Sequence, residues 1–306
     1  MEARIMKENL NKAISWLYRS GRPLDVARYE FLFLNKSRDT LLAALKSYQN
    51  DDGGFGYGLE PDSQNPFSSP IQTWIALGII EELGLDNKHE IVKNTLDYLQ
   101  NKAPKNNNLF YATVPTNNSY PHAPWWHYSD ESAIWGYNPT ASIAGFMYKH
   151  ALDKDSKYSA EKTISKAIDD FIKNPSNNMH ELRSFLDMAN YIEDFNKFDK
   201  SDEFIKLLLK QIDYNLEKNS DLWFKTYCVR PLQFFDIPGG YGFDDFKDLA
   251  KKEAEMILKQ RNPEGIWDIT WTWDQYPEAF AIAKRDWQSN LIIEYLKILK
   301  AYNILD

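Results

Sequence analysis

Two carboxylates, Glu60 and Asp62, flank Pro61 in a polar segment of this chain. Held close together in a partly dry pocket, such groups split their pKa values and leave one as proton donor and the other as base. They also have a simpler structural use, in which Asp62 caps the helix that opens near Ser69 or the pair bonds loop amides. A second segment, 119–137, holds His122, Trp125, Trp126, His127, Asp130, Glu131, Trp135 and Tyr137. A histidine beside acids can shuttle protons, and aromatic faces stack on sugar rings or shield carbocations. Two adjacent tryptophans on one surface loop cannot both be buried, so Trp125 or Trp126 is expected to face a cavity or a partner. The alternative is a plug, with the tryptophans packing one end of the fold.

A third segment alternates aromatics and acids: Trp267, Asp268, Trp271, Trp273, Asp274 and Glu278. Such a wall with polar handles suits neutral hydroxylated ligands, or else it is a loop folded over the core. Arg230, before Pro231, either binds a carboxylate or phosphate or pairs with an internal acid. The expected catalytic residues are therefore Glu60, Asp62 and His122. Ligand contacts are expected from Trp125, Trp126, His127, Arg230, Trp271, Trp273 and Asp274. His122 and His127, with Asp130 and Glu131 nearby, come nearest to a zinc set, but the chain has five histidines and no helical His-Glu-x-x-His. The expectation is no metal and no cofactor. The glycine pairs lack the Gly-Lys-Ser ending of a phosphate loop, and Cys228 sits in apolar surroundings that suit an inert thiol.

Helices must position these segments. Apolar residues recur at three-and-four spacing in Leu10, Ala13, Ile14, Leu17 and Tyr18, in Ile164, Ala167, Ile168 and Phe171, and in Ala250, Ala254, Ile257 and Leu258. Ser69-Pro70 and Asn138-Pro139 each offer a capping side chain followed by proline at the first helical position. The helices they open are small and apolar on most faces, as inner helices are, whereas 91–101 and 160–173 are amphipathic, as outer helices are. Lys251 and Lys252 lie among Asp248, Glu253 and Glu255, which reads as a solvated helix face.

One short motif occurs twice. Gln49 leads through Gly53 and Gly54 to Phe55, and Gln260 leads through Gly265 to Trp267. In each, glycine stops a helix and an aromatic plugs back between neighbouring helices. In these turns the chain resembles the α/α-toroid superfamily of terpenoid cyclases and protein prenyltransferase β-subunits. The segments 58–62 (Gly-Leu-Glu-Pro-Asp) and 121–126 (Pro-His-Ala-Pro-Trp-Trp) resemble uncharacterised bacterial prenyltransferase-like proteins. The resemblance implies a barrel of about six helix pairs around a central cavity, and isoprenoid-like substrates. It does not bring the family's chemistry with it. The Asp-x-Asp-Asp acid of class II cyclases is absent, and Cys228 is not in the Asp-x-Cys triplet of the prenyltransferase zinc site.

Composition narrows the function classes. Hydrophobic residues make up 43 % of the 306, enough for a large core. A net charge of −8 and the lack of a basic patch argue against nucleic acid. No run of about 18 apolar residues is present to span a membrane. A lone cysteine rules out an internal disulfide and suits a reducing, cytoplasmic setting. The expectation is thus one all-α domain, 1–306, an α/α toroid. Its aromatic, acidic cavity would carry out acid–base chemistry on an isoprenoid-like or carbohydrate substrate, or bind a small molecule or peptide without catalysis.

Overall fold

A computed structural model describes residues 2–305, with side chains from Leu10 onward. Helices take 58 % of the residues and strands 3 %, so the secondary structure is overwhelmingly helical, as expected. In chain order the helices are α1 (Glu2–Ser20), α2 (Pro23–Leu34), α3 (Arg38–Lys46), α4 (Pro70–Glu82) and α5 (Glu90–Asp97), then, after a small hairpin, α6 (Thr140–Lys149), α7 (Lys154–Lys173), α8 (Met179–Tyr191), α9 (Ser201–Asn215), α10 (Phe243–Ile257) and α11 (Pro277–Ala301). Strands β1 (Lys105–Asn106) and β2 (Leu109–Phe110) pair antiparallel in that hairpin. The chain divides into two compact units, one built from 1–45 and 216–306, the other from the continuous stretch 46–215.

In the continuous unit, α4 and α6 are buried on most of their faces. Ser69 accepts the Gln72 amide and Pro70 opens α4, the capping expected from the sequence. Helix α6 starts one residue later than its Asn-Pro pair suggested, with Pro139 in the capping position and the Thr140 hydroxyl accepting the Phe110 amide. It buries every residue from Thr140 to Phe146, and it packs so tightly on α8 that a Cβ at Gly145 would lie 2.8 Å from the Met188 Cα. Helix α7 buries one stripe, Ala160, Ile164, Ala167, Ile168 and Phe171, as its amphipathic pattern requires. Phe171, Phe185, Phe195 and Phe204 complete this core with ring centroids 4.7–5.8 Å apart.

In the discontinuous unit, α11 packs on α1, α2 and α10. Leu17, Leu24, Leu41, Ile292 and Leu296 are buried there. An ionic cluster, buried except at Glu294, joins α2 to α11. Asp25 takes Arg22 at 2.7 Å and the Ser289 hydroxyl, while Arg28 reaches Glu294 at 2.6 Å.

Candidate functional site

The twin turns of the sequence are wired alike. The Asn50 amide donates to the Gly54 carbonyl and the Gly53 amide to the Asn50 carbonyl, both at 2.9 Å. In the second copy the Asn262 amide donates to the Ile266 carbonyl at 2.8 Å and the Gly265 amide to the Asn262 carbonyl at 2.9 Å. Gly53 and Gly265 hold φ of 93° and 84°, where a side chain would be strained. Phe55 and Trp267 are then buried as plugs, and the Trp267 indole donates to the Ile257 carbonyl. The residues after each plug, 56–62 in one unit and 268–274 in the other, occupy equivalent places in the chain.

In the continuous unit, segment 56–65 is stitched down. The Tyr57 amide donates to the Asn65 carbonyl, Gln64 to Pro121, and Ala123 to Asp62, while Ser63 and His122 form an isolated bridge. Buried amides lock the seam. Gln72 accepts the Leu59 amide and donates to the Asn65 carbonyl, and Asn65 donates to Asn117, which holds the Trp126 carbonyl. Glu60, Asp62 and His122 thus lie on paired loops, all buried. The Nδ1 of His122 faces the Tyr120 carbonyl at 2.6 Å, so that nitrogen carries a proton. Its Nε2 lies 3.1 Å from Nδ1 of the exposed His127. The tryptophan pair divides: Trp125 is 40 % exposed, while Trp126 is buried and stacks on Trp135 at 5.0 Å. Among the described residues no group of three or more His, Cys, Asp or Glu is arranged to hold a metal ion.

In the discontinuous unit the equivalent segment borders a cavity of about 200 Å³. Trp223, Phe224, Tyr227, Trp267, Trp271 and Tyr295 form its aromatic wall, and Cys228, Arg230, Gln233, Gln260 and Asp268 its polar part. The Arg230 guanidinium stacks on Phe224 at 4.7 Å, donates through Nη1 to the Trp223 carbonyl, and places Nε 3.4 Å from Glu253 Oε1. Tyr295 also hydrogen-bonds the guanidinium. Glu253 is only 2 % exposed, which corrects its reading as part of a solvated face. Its other oxygen accepts the Leu232 amide at 2.8 Å. Burial pushes the Glu253 carboxyl up to about 7, against the opposing pull of Arg230 and that amide. Burial also raises the Tyr295 phenol.

The other expected contacts of this segment divide. Trp271 lines it, edge-on to Trp287, but Trp273 is buried against Phe280, and Asp274 is exposed with φ of 58°. A wider cavity of about 500 Å³ lies in the continuous unit beside Tyr137, Asp170 and Glu181. Both of its acids are engaged, Asp170 with the Tyr137 hydroxyl and Lys166, and Glu181 with the Tyr137 amide. Neither cavity is lined by Glu60, Asp62, His122 or Trp125. Sequence reasoning missed Glu253, Trp223 and Tyr295. A signal for Glu253 was present: it sits three residues after Ala250 and four before Ile257, on the buried stripe itself.

Compared with known proteins, the chain matches no family model, no curated protein and no solved structure.

Proposed function

We propose that this chain binds a small ring-bearing ligand in the cavity around Arg230, and that the cavity is a recognition site. What carries this reading is a part-buried guanidinium set in a wall of six aromatic side chains. A few polar groups in a largely aromatic concavity are what orient a small ligand. Size narrows the class. A dry cavity of about 150 Å³ accepts benzene, so about 200 Å³ suits one ring with a short polar substituent. A long isoprenoid would have to project out of it.

The α/α toroid remains our proposal for the scaffold, supported by the two identically wired turns and by the inner and outer character of α4, α6 and α7. A second reading, acid–base catalysis at Glu60, Asp62 and His122 on a carbohydrate or isoprenoid-like substrate, is favoured by the His122–His127 contact, which links a buried imidazole to an exposed one. The two readings separate in one experiment. Ring compounds are screened by ligand-observed NMR against the wild type, Arg230→Gln, Trp271→Ala and Glu60→Gln. Binding lost in the first two variants and kept in the third supports the recognition site. Binding lost only in Glu60→Gln supports the catalytic one.

A further inference from the structure

We propose that the ligand of this cavity is a ring carboxylate, and that it enters together with a proton because Glu253 and the ligand compete for the one guanidinium of Arg230. The inference rests on the recognition site proposed above and adds the ligand's charge and its coupling to pH.

A guanidinium carries five N–H donors in a planar fork that matches a carboxylate edge. Here it meets one backbone carbonyl, one phenol and one carboxylate oxygen. That last contact, at 3.4 Å, is longer than the roughly 2.7–2.9 Å of a close charge-assisted bond. Arg230 lines the cavity and Glu253 does not, so the carboxylate reaches the guanidinium from beyond the cavity wall. The fork therefore retains donor capacity on a residue that a ligand would touch.

Charge bookkeeping supplies the coupling. With Glu253 ionised, the pair is neutral, and an arriving carboxylate would leave two buried anions sharing one cation. With Glu253 protonated, the guanidinium lacks a counter-charge and the ligand provides it. The proton is taken up from solvent onto Glu253 Oε1, because Oε2 already accepts the Leu232 amide. The charged and titratable groups facing Glu253 are Arg230 from the segment before α10, and Tyr295 and Tyr302 from α11 and its end; Cys228 adjoins Arg230. Both phenols are held protonated by burial, and the Tyr302 hydroxyl donates to the Phe235 carbonyl. Glu253, shifted into the neutral range, is placed to titrate when a ligand arrives.

The test uses the full chain and three probes: benzoate, cyclohexanecarboxylate and the neutral isostere benzamide. Calorimetry is run at pH 5.5 and 8.5, and at pH 7 in two buffers of different protonation enthalpy. For a group titrating near 7, one-proton coupling weakens carboxylate binding about thirtyfold between those pH values. Benzoate or cyclohexanecarboxylate should show that loss together with proton uptake at pH 7, and benzamide should bind at least tenfold more weakly than benzoate at pH 5.5. Glu253→Gln should bind the carboxylate at pH 8.5 as tightly as the wild type does at pH 5.5, without proton uptake. Arg230→Gln should lose at least tenfold at pH 5.5. Carboxylate binding that is equal at both pH values, with no proton uptake, would overturn the coupling and leave the recognition site standing. No binding of any probe at either pH would overturn the site and the coupling together. If Glu253→Gln does not fold, the two-buffer proton count on the wild type decides alone.

Discussion

After Phe55 the chain runs Gly-Tyr-Gly-Leu-Glu-Pro-Asp, and after Trp267 it runs Asp-Ile-Thr-Trp-Thr-Trp-Asp. The turns before them share one hydrogen-bond pattern, yet the first segment lies flat in a seam of backbone bonds while the second stands beside a void. Glycine accounts for much of the difference. A Cβ at Gly56 would lie 2.2 Å from the Pro66 carbonyl oxygen, so the closed seam needs a residue without a side chain there. The equivalent position in the other unit is Asp268, held by Gln288 at 2.6 Å and by Asn262 at 3.0 Å. Residue type alone is therefore a poor guide to a site. The acids of the first segment and His122 of the loop paired with it sit among satisfied loop amides, and the less conspicuous second segment borders the open space.

The largest effect that can test this comparison is at the plugs. Phe55→Ala and Trp267→Ala each remove a buried ring and should cost about 3–5 kcal/mol in chemical denaturation. A loss under about 1 kcal/mol at one of them would break the equivalence of the turns. Next comes the pH dependence of stability set by Glu253. Its folded carboxyl sits at about 7 against 4.5 unfolded, so the folded chain binds more protons across that window. The stabilisation is complete below about 4.5 and lost as pH rises towards 7, by up to about 3 kcal/mol. Thermal melts at stepped pH should show this fall in the wild type, and Glu253→Gln should flatten it.

A smaller effect, about 1–3 kcal/mol, is expected from Gly56→Ala, where the added carbon must push the seam apart. Hydrogen exchange at the Tyr57 and Ala123 amides should speed up in the same variant, and unchanged exchange would show that glycine is not what closes the segment. The smallest is Asp62→Asn, at about 1 kcal/mol for a buried polar group with altered bonding. It should lower the melting temperature and leave ring-carboxylate binding unchanged. A variant with wild-type stability that loses turnover of an identified substrate would restore Asp62 as a catalytic group.

Much of the helical framework is legible in the sequence, because a stripe such as Ala160, Ile164, Ala167, Phe171 can bury itself in few other ways. The Ser69 cap is legible too, since its hydroxyl answers a donor that every helix start leaves open. Helix α9 has the same kind of signal in Phe204, Leu208 and Ile212 but lies in a charged stretch that hides it. Within the cavity, Arg230 and Trp271 could be picked out by type, and the sequence already allowed Arg230 either a ligand or an internal acid. Glu253 could not be picked out by its neighbours' charge, because burial follows helical phase and not local polarity. Trp273 shares its alternation with Trp271 yet is buried against Phe280, next to a positive φ at Asp274 that residue type does not encode.

The discontinuous unit also has a history during synthesis. Helices α1 to α3 leave the ribosome well before the rest of their unit, carrying Ala13, Trp16, Leu17, Leu24 and Leu41 on faces that are buried in the finished molecule. Helix α11, which packs on α1 and α2, is made only after the whole of 46–215. At roughly 5–20 residues per second that delay is on the order of ten seconds or more. For that interval these nascent helices present apolar surface without its final cover, a natural point of engagement for a chaperone that holds emerging chains.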